Sequence, residues 1–270
     1  MSKEPSVFLD WLRQLSAHNI NYFLEGGQAV NLWAYRFTSE EPELFSYLPF
    51  TSKDCDIWID ADGFKRINDI LKAHLKKSSS PLDGQLGIVT SYDNELVLDL
   101  LQDVFGLNNN ELKQAISRRL EVEGIKVIDP IYLFKGKCHN LVNLPQSGRN
   151  DAKHILMLSL IIPTYLKAYL TALNSGESDD PKHLKDEIKL LLSFQKDKHV
   201  RQAISEFEIT FEQLIPLVDI LKVRPLKEET IRHFPLLCVT NRYSKGQTFK
   251  RRNYSTLPLT LCYQCIMNIF

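Results

Sequence analysis

Two adjacent glycines, Gly26 and Gly27, stand between an apolar run and an amphipathic run in the stretch YFLEGGQAVNLWA, residues 22–34. The pattern predicts a short strand over 21–25 and a helix over about 28–37. The first N–H groups of a helix lack intrahelical partners, and glycine lets a phosphate approach them closely. Glycine also permits a tight turn with positive φ. Both interpretations, a phosphate-binding turn and a tight turn, stay open at this point.

Three aspartates follow at positions that suggest a shared site. Asp54 and Asp56 belong to a predicted strand, DCDIWID, residues 54–60. Side chains at i and i+2 of a strand share a face, with Cα atoms roughly 6–7 Å apart. Asp99 lies in the apolar stretch ELVLDLL, where an ionised carboxylate is costly unless it is paired or bound to a metal. Carboxylates on neighbouring strands can hold two divalent cations, and oxygen ligands favour Mg²⁺ or Mn²⁺.

Ordinary ion pairing gives the alternative interpretation of the same aspartates. Lys53 or Arg36 could pair with the DCD acids, and Asp99 could be a single core acid with its own partner. Ion pairing could explain each of these acidic motifs alone. It explains less well why they occur together in the order strand, Gly-Gly, helix, Asp-x-Asp, strand, Asp.

The remaining pattern divides the chain into two halves. A helix is expected after residue 60, with Phe64, Ile67, Ile70, Leu71 and Leu75 on one side. Two strands then flank a turn at Asp93-Asn94, and two short strands meet at Glu123-Gly124. From Asp129-Pro130, a helix start, to about residue 235 the pattern is helical, with one break at 174–180. The segment 38–52 reads as an irregular insertion and a candidate lid or acceptor-binding loop.

Composition narrows the class of protein. The 270 residues carry 33 basic and 33 acidic side chains, so no global field favours nucleic acid or membranes. The start lacks a signal-peptide pattern, and the longest apolar run, 155–166, contains Pro163 and is predicted to be a buried helix, not an anchor. Five cysteines suggest reduced thiols and a cytoplasmic location. The single pair Cys262 and Cys265 lacks the further ligands that a zinc site needs.

The stretches GGQAVNLWA, TSKDCDIWID and LVLDLL resemble the nucleotidyltransferase superfamily of the DNA polymerase β type, over roughly residues 20–155. Within it the chain is most similar to the bacterial AbiEii-type abortive-infection, toxin-like branch. The resemblance implies an α+β fold, in which a mixed sheet with flanking helices is followed by a helical C-terminal domain. We accordingly expect a catalytic domain over 1–128, a helical domain over 129–236 and a poorly defined tail over 237–270.

The resemblance also implies roles for particular residues. The expected metal ligands and catalytic residues are Asp54, Asp56 and Asp99, and the expected nucleotide-binding residues are Gly26, Gly27, Gln28 and Lys135. Gln28 stands where many relatives have serine or threonine. The family uses a lysine at the start of the helical half, which here is Lys135 or Lys137, and the spacing favours Lys135. Residues two apart on a helix point about 200° apart, so both cannot face one site.

A second departure lies in the stretch SGRNDAKHIL, where toxin-like relatives carry a Lys-Asp pair and a further acid. Arg149, Asp151 and His154 occupy it here. Asp151 and His154, three residues apart, share a helix face, and Arg149 could bind phosphate with two hydrogen bonds. A capped helix start with a solvated arginine and a packed histidine explains the same residues.

The implied function is Mg²⁺- or Mn²⁺-dependent transfer of a nucleoside monophosphate from an NTP to a hydroxyl of a tRNA, a protein or a small molecule. The toxin-like branch adds an antitoxin partner to the expectations. Two alternatives remain: a non-catalytic nucleotide-binding or interaction module with the same fold, and an antibiotic-modifying adenylyltransferase. The basic run KGQTFKRR, 245–252, could contact RNA, although such runs are usually solvated.

Overall fold

The computed structural model describes residues 2–79, 84–176 and 181–220. The tail over 237–270, with its basic run and its Cys262–Cys265 pair, lies outside the described residues. The end of the expected helical domain, from 221 to 236, lies outside them as well.

The described chain alternates strands and helices in its first half and is helical in its second. The strands are β1 (Tyr22–Glu25), β2 (Cys55–Ile59), β3 (His74–Lys77), β4 (Gln85–Thr90), β5 (Val97–Leu101), β6 (Leu120–Val122) and β7 (Ile125–Val127). The helices are α1 (Leu9–Ala17), α2 (Gly26–Phe37), α3 (Ala61–Leu71), α4 (Asn109–Arg118), α5 (Pro130–Asn143), α6 (Asp151–Ser175), α7 (Lys182–Ser193), α8 (Lys198–Glu206), α9 (Phe211–Leu214) and α10 (Leu217–Ile220). The insertion at 38–52 contains a 3-10 helix over Pro42–Tyr47.

Seven strands form one mixed sheet in the order β3-β4-β5-β2-β1-β7-β6. Strand β2 runs antiparallel to β1 and parallel to β5, while β4 and β5 form an antiparallel pair. The expected turn at Asp93-Asn94 joins β4 to β5. The mixed sheet with flanking helices confirms the predicted fold class.

Apolar residues on both sides of the sheet hold the helices in place. Helix α1 packs against α3 and β7, whereas α2 packs against β1, β2, α5 and α6. Ten of the twelve residues of α2 are buried. A helix that is buried almost all round belongs to the core, so the strand–glycine–helix unit is fixed in position by its surroundings.

The region around residues 61–77 departs from the sequence prediction. Helix α3 ends at Leu71 because Lys72 adopts a left-handed conformation with φ of 48°. Leu75 therefore lies on strand β3 and not on the helix. The sequence analysis also did not identify α4, whose first turn is closed by a capping box between Asn108 and Glu111.

Helix α6 contains the long apolar run. By length and composition this helix alone, within the described residues, could cross a membrane, and half of its most apolar window is buried inside the protein. Met157, Leu158, Ile161 and Ile162 are fully buried in the core. Core helices of globular proteins pass the same test of length and composition, so α6 is weak evidence for a membrane span. Its packing fits the prediction of a buried helix.

Candidate active site

Four carboxylates gather where β1, β2 and β5 lie side by side. In the register of the sheet, Asp56 is opposite Glu25 on one side and Asp99 on the other. Directly paired residues of neighbouring strands point to the same face of a sheet. Asp54 comes directly before β2, lines the same cavity as Asp56 and raises the pKa of Asp56 by its charge. The structure therefore brings together the three aspartates that the sequence singled out and adds Glu25 to them.

Crowding and burial change the acidity of these groups. Burial raises the pKa of Asp56 to about 6, and the charges of Asp99 and Asp54 add to this effect against the opposing Lys137. Burial and the charge of Asp54 raise the pKa of Asp99 to about 6, although Gln85 donates a hydrogen bond of 2.9 Å to its carboxylate. Burial and the charge of Asp56 raise the pKa of Glu25 to about 8. Such a cluster gains stability from any cation that enters it.

Gly26 is required by its backbone and by its neighbour. It has a φ of +67°, and a Cβ atom added to it would lie 2.0 Å from Oδ2 of Asp56. A Cβ atom on Gly27 would lie 2.6 Å from Oγ of Ser52. Gly26 therefore makes a tight turn, and this turn places the N-terminus of α2 against Asp56. The tight-turn and the phosphate-binding interpretations of the glycine pair are thus compatible.

A cavity of about 710 Å³ opens beside the acids and the glycines. This volume is in the range of small-molecule sites. Gly26, Gly27, Asp54 and Asp56 are among its lining residues, whereas Asp99 is not. Asp99 lies next to Asp56 in the sheet, so it borders the site without forming its wall.

Positive charge reaches the cavity from α5 and from the segment that precedes α6. Lys137 and Arg149 both line the cavity and both bind Asp151, at 3.2 Å and 2.6 Å respectively. Burial would raise the pKa of Asp151, but these two cations outweigh it and lower that pKa. Asp151 thus fixes two cationic side chains at the cavity wall. Such side chains can bind phosphate groups.

His154, one turn after Asp151 on α6, also lines the cavity. It is 3% exposed, and neither ring nitrogen has a hydrogen-bond partner among the described residues. Burial, followed by the charge of Lys137, lowers its pKa to about 3. The imidazole is therefore neutral at physiological pH and offers one donor and one acceptor to a ligand.

Lys135, the lysine that the sequence favoured, lies elsewhere. Its Nζ binds Glu111 at 2.6 Å and Asp197 at 3.5 Å, and it lies 5.2 Å from the ring of Phe194. It does not line the cavity, whereas Lys137 does. The two lysines point to different sides of α5: Lys137 lines the cavity, and Lys135 is turned toward Asp197 at the start of α8.

Gln28 does not line the cavity either. It is fully buried, and its amide donates to the backbone oxygens of Lys3 at 2.9 Å and Ser52 at 3.4 Å. These oxygens belong to a short backbone bridge between the N-terminal segment and the insertion. In the described structure Gln28 therefore connects two segments, and the structure places none of its atoms at the expected phosphate site.

Sequence reasoning missed Glu25 and left His154 as a packed residue. A signal for Glu25 was present, because it ends a predicted strand directly before the glycines. Its register with Asp56 depends on the antiparallel pairing of β1 and β2, which no local pattern reveals. The cavity position of His154 depends on the packing of α6 against α2, which joins segments more than a hundred residues apart.

The residues present fit a divalent metal ion. Asp56 and Asp99 are paired on neighbouring strands with Asp54 close by, and burial together with the charges of the neighbouring aspartates raises the pKa values of Asp56 and Asp99. Carboxylate oxygens in this arrangement suit Mg²⁺ or Mn²⁺. These three side chains, with Glu25 beside them, would hold the ion.

Comparisons with known proteins add little on chemistry. No family model matches the chain, and no curated protein matches it in sequence. Among solved structures it is similar to an antigenic nucleotidyltransferase-like protein from Paracoccidioides brasiliensis, with 14% identity, a TM-score of 0.39 and coverage of 75% of this chain and 86% of that one. It is also similar to a "putative nucleotidyltransferase" from H. pylori, with 15% identity, a TM-score of 0.33 and coverage of 83% and 84%. Because both likenesses are weak, the assignment of function rests on the site's own geometry.

Proposed function

We propose that this chain is a metal-dependent nucleotidyltransferase, which moves a nucleoside monophosphate from an NTP to a hydroxyl acceptor and releases pyrophosphate. The observation that carries the proposal is the meeting of Asp54, Asp56 and Asp99 at one place beside the sheet, with Asp56 directly against Gly26. Buried carboxylates that repel one another are costly unless they serve a ligand. A divalent cation bound to a polyphosphate would satisfy both kinds of side chain: the carboxylates would bind the metal, and the cationic side chains of the cavity would bind the phosphates.

The cavity offers the phosphates two kinds of contact. The N-terminus of α2 lies at Gly26 and Gly27, where the absence of side chains permits a phosphate to approach the backbone closely. Lys137 and Arg149, held by Asp151, supply positive charge to the cavity. We therefore assign the triphosphate to the space between α2 and α5, with Lys137 in the role that the family resemblance implied for Lys135.

The reaction that we propose is a single displacement. The acceptor hydroxyl oxygen attacks the α-phosphorus, and the bond from that phosphorus to the pyrophosphate oxygen breaks as the new bond forms. Asp99 takes the hydroxyl proton as the general base. Bound Mg²⁺ or Mn²⁺ would stabilise the charge on the phosphate oxygens.

The finer assignments belong to the same proposal. They are a catalytic domain over 1–128 with a helical domain after it, a toxin-like role with an antitoxin partner, and a cytoplasmic location. Five carboxylates and three cationic side chains line the cavity. Because both signs are present, this lining suits a metal–nucleotide complex and does not select among a tRNA, a protein and a small-molecule acceptor.

A labelled-nucleotide assay tests the proposal. The purified protein is incubated with Mg²⁺ and each of the four α-labelled NTPs, with total bacterial RNA in one series and cell extract in another. We expect one nucleotide to label one acceptor pool. The double variant D54N/D56N should abolish the labelling, because asparagine keeps the side-chain shape but removes the charge that binds the metal.

The matched control is D69N, which removes an exposed aspartate on α3 that does not line the cavity. It should label as the wild type does. If neither wild type nor D54N/D56N labels any pool while both bind NTP equally, the proposal fails and the non-catalytic module becomes the better account.

A further inference from the structure

A second cluster of potential metal ligands lies on the other side of α5, and the proposed transfer reaction makes no use of it. His139 of α5, Asp197 at the start of α8 and His199 within α8 each offer a ligand atom, and these atoms all lie within 4.8 Å of one another. None of the three lines the cavity. They occur instead where α5 packs against α8.

We propose that His139, Asp197 and His199 form a binding site for a transition-metal ion such as Zn²⁺, separate from the acidic site. Two imidazoles and one carboxylate are the ligand types that Zn²⁺ takes in three-ligand sites, where water completes the coordination. Imidazole nitrogen is a poor ligand for Mg²⁺. The two sites should therefore select different ions.

Local hydrogen bonds already orient the ligands. Oδ1 of Asp197 accepts from the backbone N–H groups of His199 at 2.9 Å and Val200 at 3.1 Å, which fixes the carboxylate at the start of α8. Oδ2 points to Nε2 of His139 at 2.9 Å. The rings of His139 and His199 lie 4.6 Å apart between centroids. Nδ1 of His199 lies 3.9 Å from Oδ1 of Asp197. The carboxylate and the two imidazoles thus converge, and the backbone hydrogen bonds hold the carboxylate in place.

The site is open to solvent, and one neighbouring ammonium group competes with a metal ion for the carboxylate. The side chains of His139, Asp197 and His199 are 15%, 18% and 33% exposed, so an ion and its water can enter from solvent. Lys135 is the competitor, because its Nζ lies 3.5 Å from Oδ2 of Asp197. An ammonium at that distance opposes a second cation, so removal of its charge should strengthen metal binding.

NMR spectra of the histidine ring nitrogens test the proposal directly. Untagged, ¹⁵N-labelled full-length protein is titrated with Zn²⁺ at pH 7, and long-range ¹H–¹⁵N spectra of the imidazoles are recorded. We expect the signals of two histidines to shift and to saturate at one equivalent of Zn²⁺. The spectra of H139A and H199A assign these signals. An excess of Mg²⁺ should not reverse the shifts.

Variants give the affinity changes, measured by Zn²⁺ titration calorimetry. H199A, which removes a partly exposed ring, should weaken Zn²⁺ binding by about 10-fold or more. K135M should tighten it. H18A, which removes an exposed histidine at the C-terminal end of α1, should leave it unchanged. The proposal is overturned if Zn²⁺ leaves the signals of His139 and His199 in place, or if H199A binds Zn²⁺ as tightly as the wild type. The imidazole signals distinguish this site from zinc bound at carboxylates or cysteines.

Discussion

The replacement of Gly26 by alanine tests the close contact between α2 and the acidic row. Two costs add at this position. An L-residue in the left-handed region, here with φ of +67°, costs roughly 1–2 kcal/mol. The new Cβ would also lie 2.0 Å from Oδ2 and 3.1 Å from Cβ of Asp56. Rotation of Asp56 relieves the first contact only, so overpacking adds about 1–3 kcal/mol.

Gly176 offers a matched control for the backbone cost. Its φ is +78°, and an added Cβ would meet nothing within 4 Å. We expect G176A to lower the free energy of unfolding by the backbone term alone, about 1–2 kcal/mol. G26A should lose roughly 2–5 kcal/mol, and it should also lose nucleotidyl transfer because Asp56 is displaced.

Urea denaturation of both variants measures the difference in stability, and the labelled-nucleotide assay at low temperature, where both remain folded, measures transfer. The reasoning is refuted if G26A is no less stable than G176A and transfers label at the wild-type rate. That result would mean that Asp56 can leave its position against Gly26 without cost and without effect on the reaction.

Three further predictions concern single side chains. K137M should weaken NTP binding by about 10-fold or more, as expected for loss of a charged contact, whereas K135M should change the affinity by less than about 2-fold. Calorimetric titration with NTP measures both affinities. Q28A should lower the free energy of unfolding by about 1–3 kcal/mol, because it removes the buried donor to the Lys3 carbonyl, and it should leave NTP affinity unchanged. Burial and the charge of a neighbouring buried glutamate raise the pKa of Asp129 to about 8, so folded protein holds a proton there that unfolded protein releases near pH 4. Stability should therefore fall as pH rises from about 4 to 8, by at most about 1.4 kcal/mol per pH unit, and urea midpoints of D129N should lack this component.

The sequence predicted the parts of the site that depend on local pattern. The expected strand over 21–25 is β1, Tyr22–Glu25, and the expected strand over 54–60 is β2, Cys55–Ile59. Period-2 alternation predicts that Asp54 and Asp56 lie near each other, and both line the cavity. The direct register of Asp56 with Asp99 depends on the parallel pairing of β2 and β5, which the local pattern does not reveal.

The positions of Lys135 and Gln28 depend on long-range packing. Helical geometry requires Lys135 and Lys137 to lie on opposite sides of α5, but it does not determine which side of the helix faces the sheet. Asp197, which draws Lys135 away from the cavity, lies 62 positions later in the sequence. Gln28 is turned toward the Lys3 carbonyl, 25 positions earlier. Spacing within a motif carries no information about either partner.

The central claim is that the acids serve transfer of a nucleotidyl group, and the position of the label tests it most directly. Wild type and D54N/D56N are each incubated with acceptor and with the same NTP labelled either at the α- or at the γ-phosphorus. The account predicts that wild type transfers the α-label, that the γ-label leaves as pyrophosphate, and that D54N/D56N transfers neither. Transfer of the γ-label to the acceptor, or equal α-label transfer by D54N/D56N, would contradict the account.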